Sequence, residues 1–250
     1  MKVFLSGLES SEKTIVDTMI ANGEKVDYIL TSYYYIRKKS GLLDKFKMIA
    51  NEILVDSGAH SFQKGAKVDW LTYTQEYASW IRQNDCQQIL GFFEMDVDNI
   101  IGYERVLELR KILESASRKI IPVWHKNRGV DEFKKMCRQY DFASITGFKN
   151  EDIQDHQYLM FLKYANKHNC KIHCLGMTRI QMMNKVPFYS VDSSTWKQAG
   201  NFGEFREFAR GKLIIHKRKG QFKTQELDAM NFKEFVKLQR YFKGKHGEIK

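Results

Sequence analysis

Residues 52–58, EILVDSG, contain a short apolar run, Ile53 to Val55, that ends in Asp, Ser and Gly. After a polar loop comes WLTYTQEYASWIRQN at 70–84, in which apolar residues recur at helical spacing. A β-rich run followed by an amphipathic helix is the basic unit of an α/β protein. The stretch therefore predicts a buried parallel strand and a crossover helix.

The same unit recurs along the chain. The strand-like runs are KVFLSG (2–7), DYILTSYYYI (27–36), EILVDSG (52–58), QILGFFEMD (88–96), KIIPVWH (119–125), FASITGF (142–148), KIHCLGM (171–177) and FYSVDSS (188–194). Eight parallel strands with right-handed crossovers can close into a ring, so we predict a single (β/α)8 barrel of the TIM type. An open doubly wound sheet is the alternative, because periodicity does not reveal closure.

The barrel is predicted to fill residues 1–195 as one catalytic domain, since no Pro-, Gly- or Ser-rich linker interrupts them. A length of 250 residues fits one domain of this kind. Residues 196–250 are predicted to form a short basic extension packed on the barrel. It would contain one strand, LIIH at 213–216, and one or two helices.

The positive charge is concentrated at the C-terminal end. The chain has 41 Lys and Arg against 30 Asp and Glu, which gives +11. From Arg210 to Lys250 there are 12 Lys or Arg and 4 Asp or Glu, so this stretch alone carries +8. Cations interleaved with aromatic residues suit phosphate contacts and base stacking. The alternative explanation of this charge is a solvated helix face with a frayed tail. We predict a nucleic-acid partner, with contacts from Lys217, Arg218, Lys219, Arg240 and Lys243.

Composition also bounds the location of the protein. No apolar run approaches the roughly eighteen residues of a membrane span, and MKVFLSGLESSEK lacks the apolar middle of a secretory signal. Four scattered cysteines, Cys86, Cys137, Cys170 and Cys174, do not suggest a disulfide framework. We expect a soluble cytoplasmic protein with reduced thiols and no membrane association.

Polar residues gather at the ends of the predicted strands. They are Asp56, Ser57, Asp96, Asp98, His125, Thr146, Gly147, Gly176 and Asp192. In a β/α barrel the C-terminal ends of the strands meet at one mouth, which is where active sites lie. Buried like charges raise each other's pKa, so four carboxylates at one mouth indicate acid–base or metal chemistry. Any single Asp could instead cap the following helix.

These strand-end motifs resemble the tRNA-guanine transglycosylase family, including its short phage and bacterial DNA-modifying branch. The family's Asp-Ser-Gly-Gly element is similar to DSGA at 56–59, its acidic base-recognition loop to MDVDN at 95–99, and its nucleophile strand to YSVDS at 189–193. Three further elements correspond to PVWH (122–125), TGF (146–148) and CLGM (174–177). The resemblance spans residues 53–195, with six elements in the same order.

The resemblance implies exchange of guanine for a 7-deazaguanine base by double displacement, without a cofactor. Asp192 would attack the anomeric carbon and expel guanine, while Asp56 would transfer protons. Asp96 or Asp98 would accept hydrogen bonds from N1–H and the 2-amino group of the base. The other implied substrate-binding residues are Ser57, His125, Gly147, Gly176 and Met177. The two glycines could also be turn residues, and the methionine could belong to the core.

Departures from the family pattern bear on the substrate. Ala59 replaces the second glycine, and His125 stands where an amide side chain is expected. The family's structural zinc element, three closely spaced cysteines and a distant histidine, is absent, so we predict no metal. Since that element belongs to the tRNA-binding apparatus, DNA is favoured over tRNA, and a duplex target would have to be flipped out. The sequence does not determine whether the protein forms a homodimer or uses an accessory protein that opens the duplex.

Three alternatives stay open. The first is a tRNA-guanine transglycosylase. The second is a metal-dependent barrel hydrolase that uses His60, His125, His173 and the Asp cluster, although the first strand, VFLSG at 3–7, offers no ligand. The third is a non-catalytic nucleic-acid-binding barrel. A base-exchange assay separates the transglycosylases from the other two.

Overall fold

The computed structural model describes residues 1–62, 67–146, 153–218 and 220–246. Within these ranges one sheet contains nine parallel strands: β1 (Lys2–Ser6), β2 (Val26–Ser32), β3 (Ala50–Asp56), β4 (Ile89–Phe93), β5 (Ile120–Ile121), β6 (Val123–Trp124), β7 (Phe142–Thr146), β8 (Lys171–Leu175) and β9 (Ser190–Ser193). Their order is β5-β4-β3-β2-β1-β9-β8-β7-β6. Each of the eight predicted segments contributes to the sheet, which confirms the α/β class.

Pro122 divides the fifth predicted strand into β5 and β6. β5 pairs with β4, and β6 pairs with β7, so both edges of the sheet belong to one continuous segment. Proline has no N–H to donate to a ladder, but its carbonyl accepts a 2.8 Å hydrogen bond from Ser144 N–H. The sheet therefore closes into a TIM-type barrel apart from this break. The predicted barrel is confirmed, and the open doubly wound sheet is wrong.

Helices surround the strands. They are α1 (Asp17–Asn22), α2 (Tyr33–Ile36), α3 (Leu42–Ile49), α4 (Trp70–Asn84), α5 (Asp98–Ile101), α6 (Tyr103–Glu114), α7 (Gly129–Gln139), α8 (Tyr158–Lys167), α9 (Ile180–Lys185), α10 (Thr195–Asn201) and α11 (Thr224–His246). Asp69 caps α4 by accepting hydrogen bonds from the N–H groups of Leu71 and Thr72. Across the described ranges, no helix combines the length and apolar character needed to cross a membrane.

The barrel interior is filled by alternate residues of the strands. The buried members of this inner cluster are Phe4, Tyr28, Leu30, Leu54, Phe93, Ile121 and Val123. Ile53 and Val55, on either side of Leu54, face outward and join the larger core between strands and helices. Because side chains alternate along a strand, Asp56 points to the same side as Leu54. The end of β3 thus directs a carboxylate into the mouth.

The segment after β9 contains a hairpin of two strands, β10 (Glu204–Ala209) and β11 (Lys212–Lys217), which pair antiparallel. The prediction of a single strand is wrong. β10, EFREFA, has charged residues at three of its six positions and lacks a continuous apolar run, so it carried no clear strand signal. Arg210 and Gly211, with φ of 51° and 74°, form the turn. Tight turns with two positive φ values are usually signalled by Asn-Gly or Asp-Gly, which this chain replaces with Arg-Gly.

Helix α11 packs along β1 and β2. Its buried apolar residues include Phe235, Leu238 and Phe242. Gln239 Nε2 donates hydrogen bonds to the carbonyl oxygens of Val3 and Tyr28 at 2.7 and 2.8 Å. Its Oε1 accepts a hydrogen bond from the N–H of Asp27 at 2.9 Å. The α-amino group of Met1 donates a hydrogen bond to the carbonyl oxygen of Phe242. The C-terminal half of α11 therefore lies near the starts of the strands, at the end of the barrel opposite the mouth.

Candidate active site

The barrel mouth places Asp56 and Asp192 on one interior surface. Asp56 is the last residue of β3 and Asp192 the third of β9, with β2 and β1 between these strands. Val191 belongs to the outer core, so Asp192 beside it points into the barrel. The charge of Asp192 contributes to raising the pKa of Asp56, which means that the carboxylates interact electrostatically. The fold thus brings together two aspartates that are 136 positions apart in the chain.

Asp192 is held by one of its two carboxylate oxygens. Its Oδ1 accepts a 2.7 Å hydrogen bond from the N–H of Gly176 and lies 3.3 Å from Nε2 of His173. Its Oδ2 accepts no hydrogen bond from the described part of the chain. Gly176 has φ of 64°, a left-handed conformation that glycine adopts readily, and this turns its N–H toward Asp192. A carboxylate fixed at one oxygen and open at the other is suited to nucleophilic attack.

His173 supports Asp192 from below. The residue is fully buried, and Nδ1 lies 2.9 Å from the hydroxyl oxygen of Ser190. The rings of Phe4 and Phe93 contact the imidazole edge-on, with centroids 6.2 and 5.1 Å away. These contacts fix the ring with Nε2 toward Asp192. The sequence analysis considered His173 only as a metal ligand in the hydrolase alternative. Its position in the middle of β8 could have indicated a side chain inside the barrel that contacts Asp192.

Asp56 is half-buried, and its pKa is raised to about 6. Loss of hydration is the main cause, and the negative charges of Asp96 and Asp192 add to it. His60 opposes the shift, as does a 3.0 Å hydrogen bond from Gly58 N–H to Oδ2. A carboxyl group with a pKa near 6 can both donate and accept a proton close to neutral pH. Asp56 therefore has the properties of a general acid and base.

Two hydroxyl groups lie beside Asp56. Ser32, which the sequence pattern did not single out, pairs with Asp56 in register at the end of β2. Its hydroxyl oxygen is buried and has no hydrogen-bond partner within the described ranges, and the same is true of Ser57, which was predicted to bind substrate. Gly58 makes this crowding possible, since a Cβ there would lie 2.6 Å from Oγ of Ser32. Buried hydroxyls usually have a hydrogen-bond partner, so these two keep an unused hydrogen-bonding capacity next to Asp56.

Asp96 lies between two histidines. Nε2 of His60 is 3.0 Å from Oδ2, and Nε2 of His125 is 2.7 Å from Oδ1. Burial alone would raise the pKa of Asp96, but the hydrogen bonds from His125 and His60 lower it below its ordinary value. The hydrogen bond to Asp96 in turn raises the pKa of His60. Asp96 is therefore an ionised carboxylate whose present partners are two imidazoles.

Asp98 belongs to a buried ion network. Its Oδ2 accepts a 3.0 Å hydrogen bond from Nε of Arg128, which also pairs with Glu94 at 2.9 Å, and Glu94 pairs with Arg110 at 2.5 Å. All four side chains are at most 4% exposed. Burial would raise the pKa of Asp98, but Arg128 lowers it. Of the two candidates for base recognition, Asp98 is committed to Arg128, which favours Asp96.

The acidic loop also has the spacing of a metal site. Asp96, Asp98 and His125 each offer a ligand atom, and these atoms lie within 4.8 Å of one another. However, Nη2 of Arg128 is 3.7 Å from Oδ1 of Asp96, and the same guanidinium pairs with Asp98. Its positive charge already compensates the carboxylates that a divalent cation would use. The donor set fits a metal, whereas the local charge balance does not require one.

Two further residues, Gly147 and Met177, were predicted to contact the base. Gly147 lies outside the described residues. Met177 is fully buried and is part of the main core, so of its two interpretations the structural one fits its surroundings. The N–H of Gly176 is directed at Asp192, which gives this glycine a function in orienting the carboxylate.

The predicted nucleic-acid contacts are spread over the molecule. Lys217, 83% exposed, lies at the end of β11, and Arg218 follows it. Lys219 lies outside the described residues. Lys243 forms a 2.7 Å ion pair with a carboxylate near the start of β2, at the end of the barrel opposite the mouth, and Arg240 lies one turn earlier on α11. The basic C-terminal segment is therefore not one continuous surface.

Comparison of the chain with protein-family models and with curated proteins gives no match. The functional interpretation accordingly rests on the geometry of the mouth and on the motifs that occupy it.

Proposed function

We propose that this protein is a transglycosylase that replaces guanine in a nucleic acid with a 7-deazaguanine base through a covalent enzyme–sugar intermediate. The observation that carries the proposal is the pairing of two unlike aspartates at one barrel mouth. Asp192 is fixed through Oδ1 and open at Oδ2, whereas Asp56 has a pKa that loss of hydration raises to about 6. A double displacement needs a nucleophile and an acid/base whose environments differ in this way.

In the first half-reaction, Oδ2 of Asp192 attacks the anomeric carbon of the target nucleotide. The bond from that carbon to N9 breaks, and its electron pair leaves with guanine. Protonated Asp56 donates its proton to the departing base. The products are a sugar ester on Asp192, neutral guanine and ionised Asp56.

In the second half-reaction, the incoming 7-deazaguanine transfers its N9 proton to Asp56. N9 attacks the anomeric carbon, the ester bond breaks, and its electron pair returns to Asp192. Both carboxyl groups recover their starting protonation states, so the cycle needs no oxidant and no cofactor. Two successive inversions retain the configuration of the glycosidic bond.

Asp96 is proposed to read the base. Two adjacent donors, N1–H and the 2-amino group, mark guanine and its 7-deaza analogues, and an ionised carboxylate can accept from both. The imidazole of His60 is 76% exposed, so its hydrogen bond to Asp96 can be replaced by the donors of an arriving base. Adenine lacks this pair of donors and would leave a buried carboxylate poorly satisfied.

A base-exchange assay tests the proposed function. Labelled guanine is incubated with the protein and with single-stranded DNA, duplex DNA or tRNA in parallel, and incorporation into the polymer is measured. We expect incorporation into DNA, and more into single strands, because an unpaired base needs no extrusion. Incorporation into tRNA alone would replace DNA as the proposed substrate. No incorporation into any polymer would contradict transglycosylation.

The pKa of Asp56 predicts a pH dependence for the first half-reaction. Because burial raises this pKa to about 6, the proton needed by departing guanine is present below that pH and is lost above it. We expect the single-turnover rate of guanine release, without an incoming base, to fall as the pH rises through about 6. Asp56→Asn should slow release by roughly 10²- to 10⁴-fold and flatten this profile. A decline near pH 6 that persists in Asp56→Asn would assign the titration to another group.

A metal-dependent hydrolase is the second candidate, favoured by the close approach of Asp96, Asp98 and His125. This candidate predicts about one equivalent of bound Zn²⁺ or Mn²⁺, lost in His125→Ala, and phosphoester hydrolysis that is abolished by chelation. Transglycosylation predicts base exchange that is insensitive to chelators. Elemental analysis and both assays on the same preparation therefore separate the two candidates.

A further inference from the structure

A basic groove runs along the outside of the barrel between α9, the turn of the β10–β11 hairpin and the end of α11. We call it the α9–hairpin groove. Its volume is about 720 Å³, and its lining includes Thr178, Arg179, Arg210, Lys212, Tyr241 and Lys245. A volume of this size exceeds what one small ion needs and is in the range that accommodates a larger organic group.

The charge of this groove is one-sided. Among the residues that the structure describes, its lining contains four cationic side chains and no carboxylate, whereas the whole chain has 41 cations for 30 acids. Arg210 and Lys212 are exposed and form no ion pair within the described ranges. Arg179 pairs with Asp155, and Nζ of Lys245 lies 2.5 Å from an amide oxygen. The positive charge is therefore largely uncompensated and open to an anionic ligand.

The hairpin turn is fixed in position over the groove. Arg210 and Gly211 both have positive φ, and a Cβ on Gly211 would lie 2.9 Å from the hydroxyl oxygen of Tyr241. A non-glycine residue in the left-handed region is uncommon, so holding Arg210 there has an energetic cost. The close contact of the turn with α11 keeps Arg210 and Lys212 together on the groove wall.

The groove begins beside the candidate active site. Thr178, in its lining, is two residues after Gly176, whose N–H binds Asp192. A strand that leaves the mouth over this loop enters the groove directly. A second groove, between α1 and α11, also contains four cations, among them Arg240. It differs in containing the carboxylate of Glu24 and more apolar side chains, including those of Met19 and Phe232.

We infer that the α9–hairpin groove binds the phosphodiester backbone of the strand that flanks the exchanged nucleotide, through Arg210, Lys212 and Lys245. The inference rests on the proposed function for the direction of the strand. The recognised group is the phosphodiester, which DNA and RNA share, and Tyr241 offers a ring for contact with a base or sugar. These residues differ from all five cations that the sequence predicted for nucleic-acid binding.

The test compares two double charge reversals. Lys212→Glu with Lys245→Glu alters the α9–hairpin groove, and Lys25→Glu with Lys233→Glu makes the same charge change in the groove between α1 and α11. Binding of a labelled single strand of about 20 nucleotides is measured over a range of salt concentrations, once as DNA and once as RNA. We expect the first variant to bind at least about tenfold more weakly and its salt slope to fall by about 1 for each lost phosphate contact, with less than about threefold weakening in the second.

The outcomes test binding by the α9–hairpin groove independently of the proposed transglycosylation. Equal weakening in both variants, or no binding by the unmodified protein to either polymer, would overturn the inference. Preferential weakening in the first variant supports it, and the polymer that is bound more tightly identifies the natural strand. Because binding is measured without turnover, selective loss of binding in a protein with no exchange activity would support the groove while contradicting the proposed function.

Discussion

Asp192→Asn should reduce base exchange by about 10⁴-fold or more, since removing a nucleophile removes the covalent route itself. The amide has the shape of the carboxylate, and its oxygen can still accept from Gly176 N–H and from His173. It is, however, a poor nucleophile toward an anomeric carbon. Incorporation of labelled guanine gives the rate, and mass spectrometry of denatured protein gives the amount of enzyme–oligonucleotide adduct, which should vanish in the variant.

The matched control for this change is Asp131→Asn, in which the same substitution is made at a side chain that is 97% exposed. It should leave exchange and adduct formation at the level of the unmodified protein. An adduct that persists in Asp192→Asn, or exchange that falls by less than about tenfold, would remove Asp192 from the nucleophilic role.

Glu94→Gln should lower the free energy of unfolding by about 3–5 kcal/mol, which is typical of breaking a buried ion pair. Glu94 is 0% exposed and neutralises two buried guanidinium groups, those of Arg110 and Arg128. It also accepts the N–H of Val123 at 2.7 Å, next to the break that Pro122 makes in the barrel. The amide keeps the shape and one acceptor but removes the charge, so the guanidinium of Arg110 would lose the carboxylate that it pairs with. Urea denaturation measures the change.

Glu108→Gln is the control, because Glu108 is 58% exposed and pairs with Arg105 on the surface of α6. Exposed pairs of this kind contribute about 0.5 kcal/mol or less. If the two variants lost similar stability, the buried network would not be what supports the mouth.

The fold was largely predictable because strand and helix signals are local. Each of the eight strand segments is an apolar run bounded by polar residues, and their number favours closure. The way the ring closes was not predictable, since it depends on Pro122 dividing one segment between two neighbours. Strand β10 was missed for a different reason. Half of its residues are charged, because the strand is half-exposed and is stabilised by pairing with β11. The Arg-Gly turn between the two strands is also a weak sequence signal for a hairpin.

The candidate site was predictable in its position but not in its internal contacts. Strand-end location alone placed Asp56 and Asp192 at one mouth. The different environments of Asp96 and Asp98 could not be predicted, because Arg128 reaches Asp98 from 30 positions away through tertiary packing. The support that His173 gives to Asp192 also depends on the register between β8 and β9, which no sequence pattern reports.

The clustering of positive charge in the sequence was the poorest guide to the structure. The cations that lie close together in sequence do not form one surface, because α11 extends over 23 residues along the barrel. Lys243 consequently pairs with a carboxylate near the start of β2. Net charge predicts an anionic partner, whereas the direction of the helices determines which faces carry the cations.

The bridge that Gln239 makes between β1 and β2 ties the completion of the barrel to the synthesis of α11. Its partners, Val3 and Tyr28, leave the ribosome more than 200 residues earlier, at separations of 236 and 211 positions. Until α11 emerges, β1 and β2 lack this bridge across their starting ends, and contacts between such distant residues form slowly. A nascent chain released within α11 would therefore expose unsatisfied strand backbone, which favours aggregation and makes a shortened product a target for degradation.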